Sequence, residues 1–132
     1  MSRQPIVLLV ASDGLTRLIT ANGLNMYGYE VLTAASGTEA AAMLNDGRRI
    51  NVLVVDAELG GEIDGLALAR LARGANPKMD VIYTARAPFR IPEAAKVKGA
   101  PCIRTPYHPQ QIVGIITELW HRLSAADLDR VA

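Results

Sequence analysis

Residues 52–65 read Val52-Leu53-Val54-Val55-Asp56-Ala57-Glu58-Leu59-Gly60-Gly61-Glu62-Ile63-Asp64-Gly65, and this stretch decides the fold. Four consecutive apolar residues ended by an acid read as a strand buried on both faces, the mark of a parallel sheet. Such a strand delivers Asp56 to the C-terminal edge of the sheet, where open α/β sheets bind their ligands. The glycines and Asp64 that follow read as a turn and the start of a helix. An aspartate at a strand end is commonly a turn former, so Asp56 gains meaning only from its surroundings.

Outward from this stretch, strand-like and helix-like segments alternate five times. Ile6 to Val10 repeats the buried-strand pattern. Leu15, Leu18, Ile19 and Met26 then recur at helical spacing, and Gly28 closes that helix. Tyr29 to Thr33 predicts a second strand. Ser36-Gly37-Thr38-Glu39 has the form of a capping box, with Ser36 capping a helix and Glu39 reaching back. Ala40, Met43 and Leu44 give that helix one apolar face, and Gly47 ends it. A third helix is expected from Asp64-Gly65, with Leu68, Leu71 and Ala72 inward. Val81-Ile82-Tyr83 predicts a fourth strand, ending at Thr84. Pro88 and Pro92 leave room between Ala85 and Ala100 only for a short helix, over Glu93 to Lys98. Cys102-Ile103-Arg104 is a short fifth strand. His108-Pro109 starts the last helix, with Ile112, Ile115, Ile116, Leu119 and Leu123 as its buried stripe. The polar end from Ser124 to Ala132 is expected to fray. This alternation implies a parallel sheet covered by helices on both faces. The expectation is a single domain over residues 1–132, with its core within 6–123.

Composition narrows the function. The chain has 132 residues, enough for one domain with a proper core. Its 14 basic and 13 acidic residues nearly cancel, which gives no electrostatic case for nucleic acid or a membrane surface. The single cysteine, Cys102, excludes an internal disulfide and a cysteine-based zinc site, and reads as a small core residue. The longest apolar runs are of strand length, and Met1-Ser2-Arg3-Gln4-Pro5 lacks the apolar core of a signal peptide, so a soluble cytoplasmic protein is expected. Ala11-Ser12-Asp13-Gly14 stands where a glycine-rich phosphate loop would follow the first strand. No Ser-His-Asp or Cys-His set has a motif context, and His108 and His121 have no ligand spacing. These absences argue against a flavodoxin-like cofactor binder or a small hydrolase, and the chain is not expected to be an enzyme.

From about Ile6 to Leu123 the chain resembles the receiver domain of bacterial two-component response regulators. The residues that carry the resemblance are the strand ending in Asp56, the turn ending in Asp64-Gly65, the pair Thr84-Ala85, Pro106, and Gly28-Tyr29-Glu30-Val31 ahead of the second strand. The resemblance implies a flavodoxin-like (βα)5 three-layer α/β fold with strand order 2-1-3-4-5. It implies Asp56 as phosphoacceptor for a histidine kinase or phosphotransfer protein, with Thr84 and Ala85 against the phosphoryl group. It also implies Mg2+ as a clamp and a cis peptide bond before Pro106. A transferred phosphoryl group spreads charge over three oxygens, so such a site must neutralise and position it.

Here the chain departs from the family's pattern. The acidic pair that holds the metal falls on Ala11 and Ser12, the lysine before the proline falls on Thr105, and the aromatic switch residue falls on Cys102. Asp13, one position late, and Glu58, two residues after Asp56, are the only further carboxylates on offer to a metal beside Asp56. Losing two acids also removes the like-charge repulsion that raises carboxylate pKa values, so Asp56 is expected to be an ordinary carboxylate. Two readings follow. In one the chain is a stand-alone pseudo-receiver acting by protein–protein interaction. In the other it is a relay receiver phosphorylated on Asp56, with Asp13 or Glu58 helping to hold the metal. Its partner is then a kinase, a phosphotransfer protein, another signalling protein or a second copy. Val113 and Trp120 of the last helix read either as partly buried packing or as an interaction face built with the helix before it.

Overall fold

The computed structural model describes residues 5–131, with side chains through Trp120. Five strands, β1 (Ile6–Val10), β2 (Glu30–Ala34), β3 (Val52–Asp56), β4 (Asp80–Ala85) and β5 (Cys102–Arg104), form one parallel sheet in the order β2-β1-β3-β4-β5. Four helices connect or follow them: α1 (Gly14–Met26), α2 (Gly37–Asn45), α3 (Gly65–Ala75) and α4 (Pro109–Val131). The expected fold and strand order are therefore observed.

The central strands β1 and β3 have no solvated face, which is why their sequences are unbroken apolar runs. Alternate side chains feed two cores. Leu8, Val10, Leu53, Val55 and Tyr83 pack with Ala40 of α2 and Leu68, Ala69 and Ala72 of α3. Val7, Leu9, Val52, Val54 and Ile82 pack on the other face with Leu24 of α1 and Ile112 and Ile116 of α4. Each fully buried aliphatic side chain contributes about 1.5–3 kcal/mol relative to exposure. The helix starts are capped as the sequence predicts. Ser36 Oγ accepts from the Glu39 amide at 3.1 Å and Asp64 Oδ1 from the Ala67 amide at 2.8 Å. Glu39 reaches back to the Ala35 amide at 3.1 Å.

Several expectations are corrected. In α1 the apolar set Leu15, Leu18, Ile19 and Met26 faces solvent, and the buried residues are Thr20 and Leu24. The cause is the contact with α4. Thr20 Oγ1 and Tyr107 Oη are hydrogen-bonded at 2.9 Å, and Gly23 sits so close to Pro109 that a Cβ there would lie 2.5 Å from the proline Cβ. This small, polar face is the one that fits, so α1 turns its large apolar side chains outward. In α3, Leu68 and Ala72 are buried as expected, but Leu71 is exposed and Ala69 takes its place in the core.

Between β4 and β5 there is no α-helix. Two single 3-10 turns, Pro88–Arg90 and Glu93–Ala95, replace the helix expected over 93–98. Lys96 is already extended and folds back so that its ammonium meets the Glu93 carboxylate at 2.7 Å. Tyr83 Oη ties the segment to the sheet by accepting from the Val97 amide at 2.9 Å. In α4, Ile112 and Ile116 are fully buried, and Ile115 and Leu119 are half-buried. Its backbone stays helical to Val131, past the fraying expected at Ser124. The side chains of His121 and Leu123 lie outside the described residues. Val113 and Trp120 pack half-buried against the α1/α4 core, and the two-helix face considered for them lacks its other helix.

Two glycine substitutions test the α1–α4 contact. Gly114→Ala, in open space on α4, should raise stability by up to about 1 kcal/mol through helix propensity. Gly23→Ala should instead lower it, because overpacking of roughly 1–3 kcal/mol outweighs the same gain. Urea unfolding midpoints should shift in opposite directions.

Candidate functional site

The site is built where β3 and β4 end. Their parallel register sets Asp56 opposite Thr84, and the Ala57 amide donates to the Thr84 carbonyl at 2.8 Å. The chain then folds over itself. The Leu59 amide donates to the Asp56 carbonyl at 3.0 Å, and the Gly65 amide to the Leu59 carbonyl at 3.1 Å. A Cβ at Gly65 would lie 2.0 Å from the Asp56 carbonyl oxygen, so only glycine permits this approach. The half-buried Asp56 carboxylate accepts the Glu58 amide at 2.8 Å through Oδ1.

Burial raises the Asp56 carboxyl above its ordinary pKa. The Glu58 amide opposes that rise, the Glu58 carboxylate adds to it, and the Arg86 guanidinium lowers it slightly. The ordinary carboxylate expected from the missing acids is thus corrected: desolvation, not like-charge repulsion, sets the direction.

A cavity of about 830 Å³ opens over Asp56. Ala11, Ser12, Asp13 and Thr16 line it on one side, and Thr84, Arg86, Arg104, Thr105, Pro106 and Tyr107 on the other. Thr84 is buried, and its hydroxyl makes no hydrogen bond with any described residue. Ala85 is buried beneath the cavity, and its carbonyl accepts the Thr105 amide at 2.9 Å. The Thr105–Pro106 peptide is cis. Tyr107 turns inward to Thr20, and burial raises its phenol pKa. Cys102 is half-buried beside the α2/α3 core, and burial raises its thiol pKa, as fits a packing residue.

The remaining ionic groups are already engaged. Asp13 caps α1, accepting the Thr16 amide at 3.0 Å and the Thr16 hydroxyl, and these bonds lower its pKa. Arg17 donates to the Ala11 carbonyl at 2.7 Å and, more weakly, to the Ser12 carbonyl at 3.5 Å. A guanidinium therefore lies along the loop where the family's pattern puts two acids. Glu58 accepts the Arg86 amide at 2.7 Å, and its carboxylate lies 3.8 Å from the Arg86 guanidinium. Among the described residues no group of three or more His, Cys, Asp or Glu side chains is placed to hold a metal ion. With Asp13 and Glu58 so occupied, the residues present do not fit a magnesium cage around Asp56.

Sequence reasoning missed Arg17 and Arg86. Arg17 is the only charge in α1 and lies four residues after Asp13, a spacing that brings side chains together on a helix. Arg86 directly follows Thr84-Ala85.

A family model described as the response regulator receiver domain matches residues 7–117. The chain belongs to that family. This receiver is similar in fold to solved structures at low sequence identity. One is a response regulator receiver protein from Sinorhizobium medicae, 24% identical, covering 89% of this chain and 94% of that one, with a TM-score of 0.82. Another is a CheY-like receiver domain protein from Methanospirillum hungatei, 23% identical, covering 94% and 99%, with a TM-score of 0.79. A third is NtrX from Brucella abortus, 23% identical, of which this receiver spans 30% while 96% of its own length is covered, with a TM-score of 0.81. No curated protein matches in sequence. No helix among the described residues is long and apolar enough to cross a membrane.

The shifted pKa of Asp56 has a sign that can be tested. Because the folded value lies above the unfolded one, its contribution to stability is full below the ordinary aspartate range and is lost as pH rises through the raised value. Asp56→Asn should therefore be more stable than the native receiver at neutral pH, with the gap closing in acid. Thermal midpoints from pH 3 to 7 check this.

Proposed function

We propose that this receiver is a signalling module that acts by binding other proteins and does not depend on magnesium-assisted phosphorylation of Asp56. One observation carries the reading: the charged groups around Asp56 are committed to the protein itself. Asp13 is bound to Thr16, Arg17 to the Ala11 carbonyl, and Glu58 to Arg86. Phosphoryl transfer needs preorganised positive charge at the transferring oxygens. The Thr105 hydroxyl cannot supply the charge of an ammonium, and the Arg86 side chain is largely exposed.

A second reading has one observation in its favour. Asp56 and Thr84 remain in register, and the Thr84 hydroxyl stays unpartnered by the described residues at a cavity-lining position. In that reading Asp56 accepts a phosphoryl group from a histidine kinase or phosphotransfer protein, with Arg86 as the nearby cation.

Intact-mass spectrometry after incubation with acetyl phosphate, with and without magnesium, separates the two. The expected result is no phosphoryl gain in either condition, for the native receiver and for Asp56→Asn alike. A magnesium-dependent gain that Asp56→Asn abolishes would establish the second reading instead.

A further inference from the structure

We propose that α1 is a self-association surface through which two copies of this chain pair about a two-fold axis. The inference goes beyond the function above and holds whether or not Asp56 is phosphorylated. Leu15, Leu18, Ile19 and Met26 are 65, 58, 52 and 88% exposed. With Asn22 between them they follow helical spacing and form one stripe, directly opposite the buried Thr20 and Leu24. Burial on one side thus leaves α1 with a second apolar face that nothing in the monomer covers.

The lack of charge on that face points to the occupant. Solvated helix faces usually carry mixed charges. The only charged residue of α1 is Arg17, and its guanidinium is folded back onto the Ala11 carbonyl at 2.7 Å. Along the neighbouring α4, from Pro109 to Trp120, the only charged residue is Glu118. A two-fold interface sets the same patch against itself, so any concentration of one charge would repel its own copy. An uncharged apolar stripe satisfies that condition. A different partner would be selected by complementary charge, which α1 does not offer.

The stripe is of order 400 Å² per copy, within the range of the largest apolar patches on monomers. Two such patches with their rims approach the roughly 1,000 Å² expected of a specific interface. Asn22, exposed in the middle of the stripe, gives the pairing a polar centre that can fix its register. Ile19 and Thr16 also line the cavity over Asp56, so a second copy on α1 stands at the rim of that cavity.

Sedimentation equilibrium on the native chain tests this, alongside Leu18→Glu and Ile19→Glu. Both substituted residues are exposed, so circular dichroism should be unchanged. The expected result is a reversible dimer whose dissociation constant rises roughly tenfold or more in each variant. Oxidative cross-linking through Asn22→Cys gives a second readout, with Thr38→Cys on α2 as control. A disulfide-linked dimer should form for the first and not for the second. A native chain that stays monomeric overturns the proposal and leaves the stripe to a different protein. A dimer unaffected by either glutamate, or cross-linking equally from Thr38→Cys, overturns it by placing the interface elsewhere.

Discussion

The close packing of Gly65 on the Asp56 carbonyl is the constraint on which the rest of the site depends. It bends the chain after β3 back over the sheet edge, so that the Glu58 amide reaches the Asp56 carboxylate and Glu58 itself reaches across to the Arg86 amide. The parallel β3–β4 register brings Thr84 to the same point from the neighbouring strand. A receiver scaffold can therefore hold its aspartate in place with backbone geometry alone. That is why the position survives here although the side chains that make it reactive in the family's pattern are absent.

The chemistry of the edge follows from what replaced them. With small residues at Ala11 and Ser12, the loop after β1 is braced from within by Arg17, whose guanidinium takes the Ala11 carbonyl. Asp13 is used as a helix cap, a role in which its carboxylate is satisfied by Thr16. On the opposite wall, Glu58 and Arg86 satisfy one another. Isolated exposed ion pairs contribute little to stability. Here the consequence is for reactivity: carboxylates that already accept hydrogen bonds are poor candidates for gathering a hard cation that prefers several oxygen ligands in strict geometry.

Much of this was legible in the sequence, and the failures have physical causes. The runs Ile6–Val10 and Val52–Val55 could be read because strands buried on both faces need no alternation. Ser36 and Asp64 could be read because capping leaves a residue-type signature. The direction of α1 could not. Its periodicity was sound, but Thr20 and Gly23, not its leucines, fit against Tyr107 and Pro109, and no single helix pattern reveals which face its neighbour will accept. The segment between β4 and β5 defeated the helix expectation because Pro88 and Pro92 permit only single turns. At the site, the identities at Ala11, Ser12 and Thr105 announced the departure from the family's pattern. The pKa of Asp56 did not follow from them, since burial cannot be seen in a list of neighbouring charges.

The central claim is that the carboxylates near Asp56 are not free to gather a divalent cation. A magnesium titration followed by amide NMR of the uniformly labelled chain tests it most directly, with Ser12, Asp13, Asp56 and Glu58 as reporters. The account predicts only small, linear, non-saturating shifts at these amides through the millimolar range. Saturable shifts centred on Asp56 and either Asp13 or Glu58 would contradict it, by showing that those groups release their present partners to bind the ion.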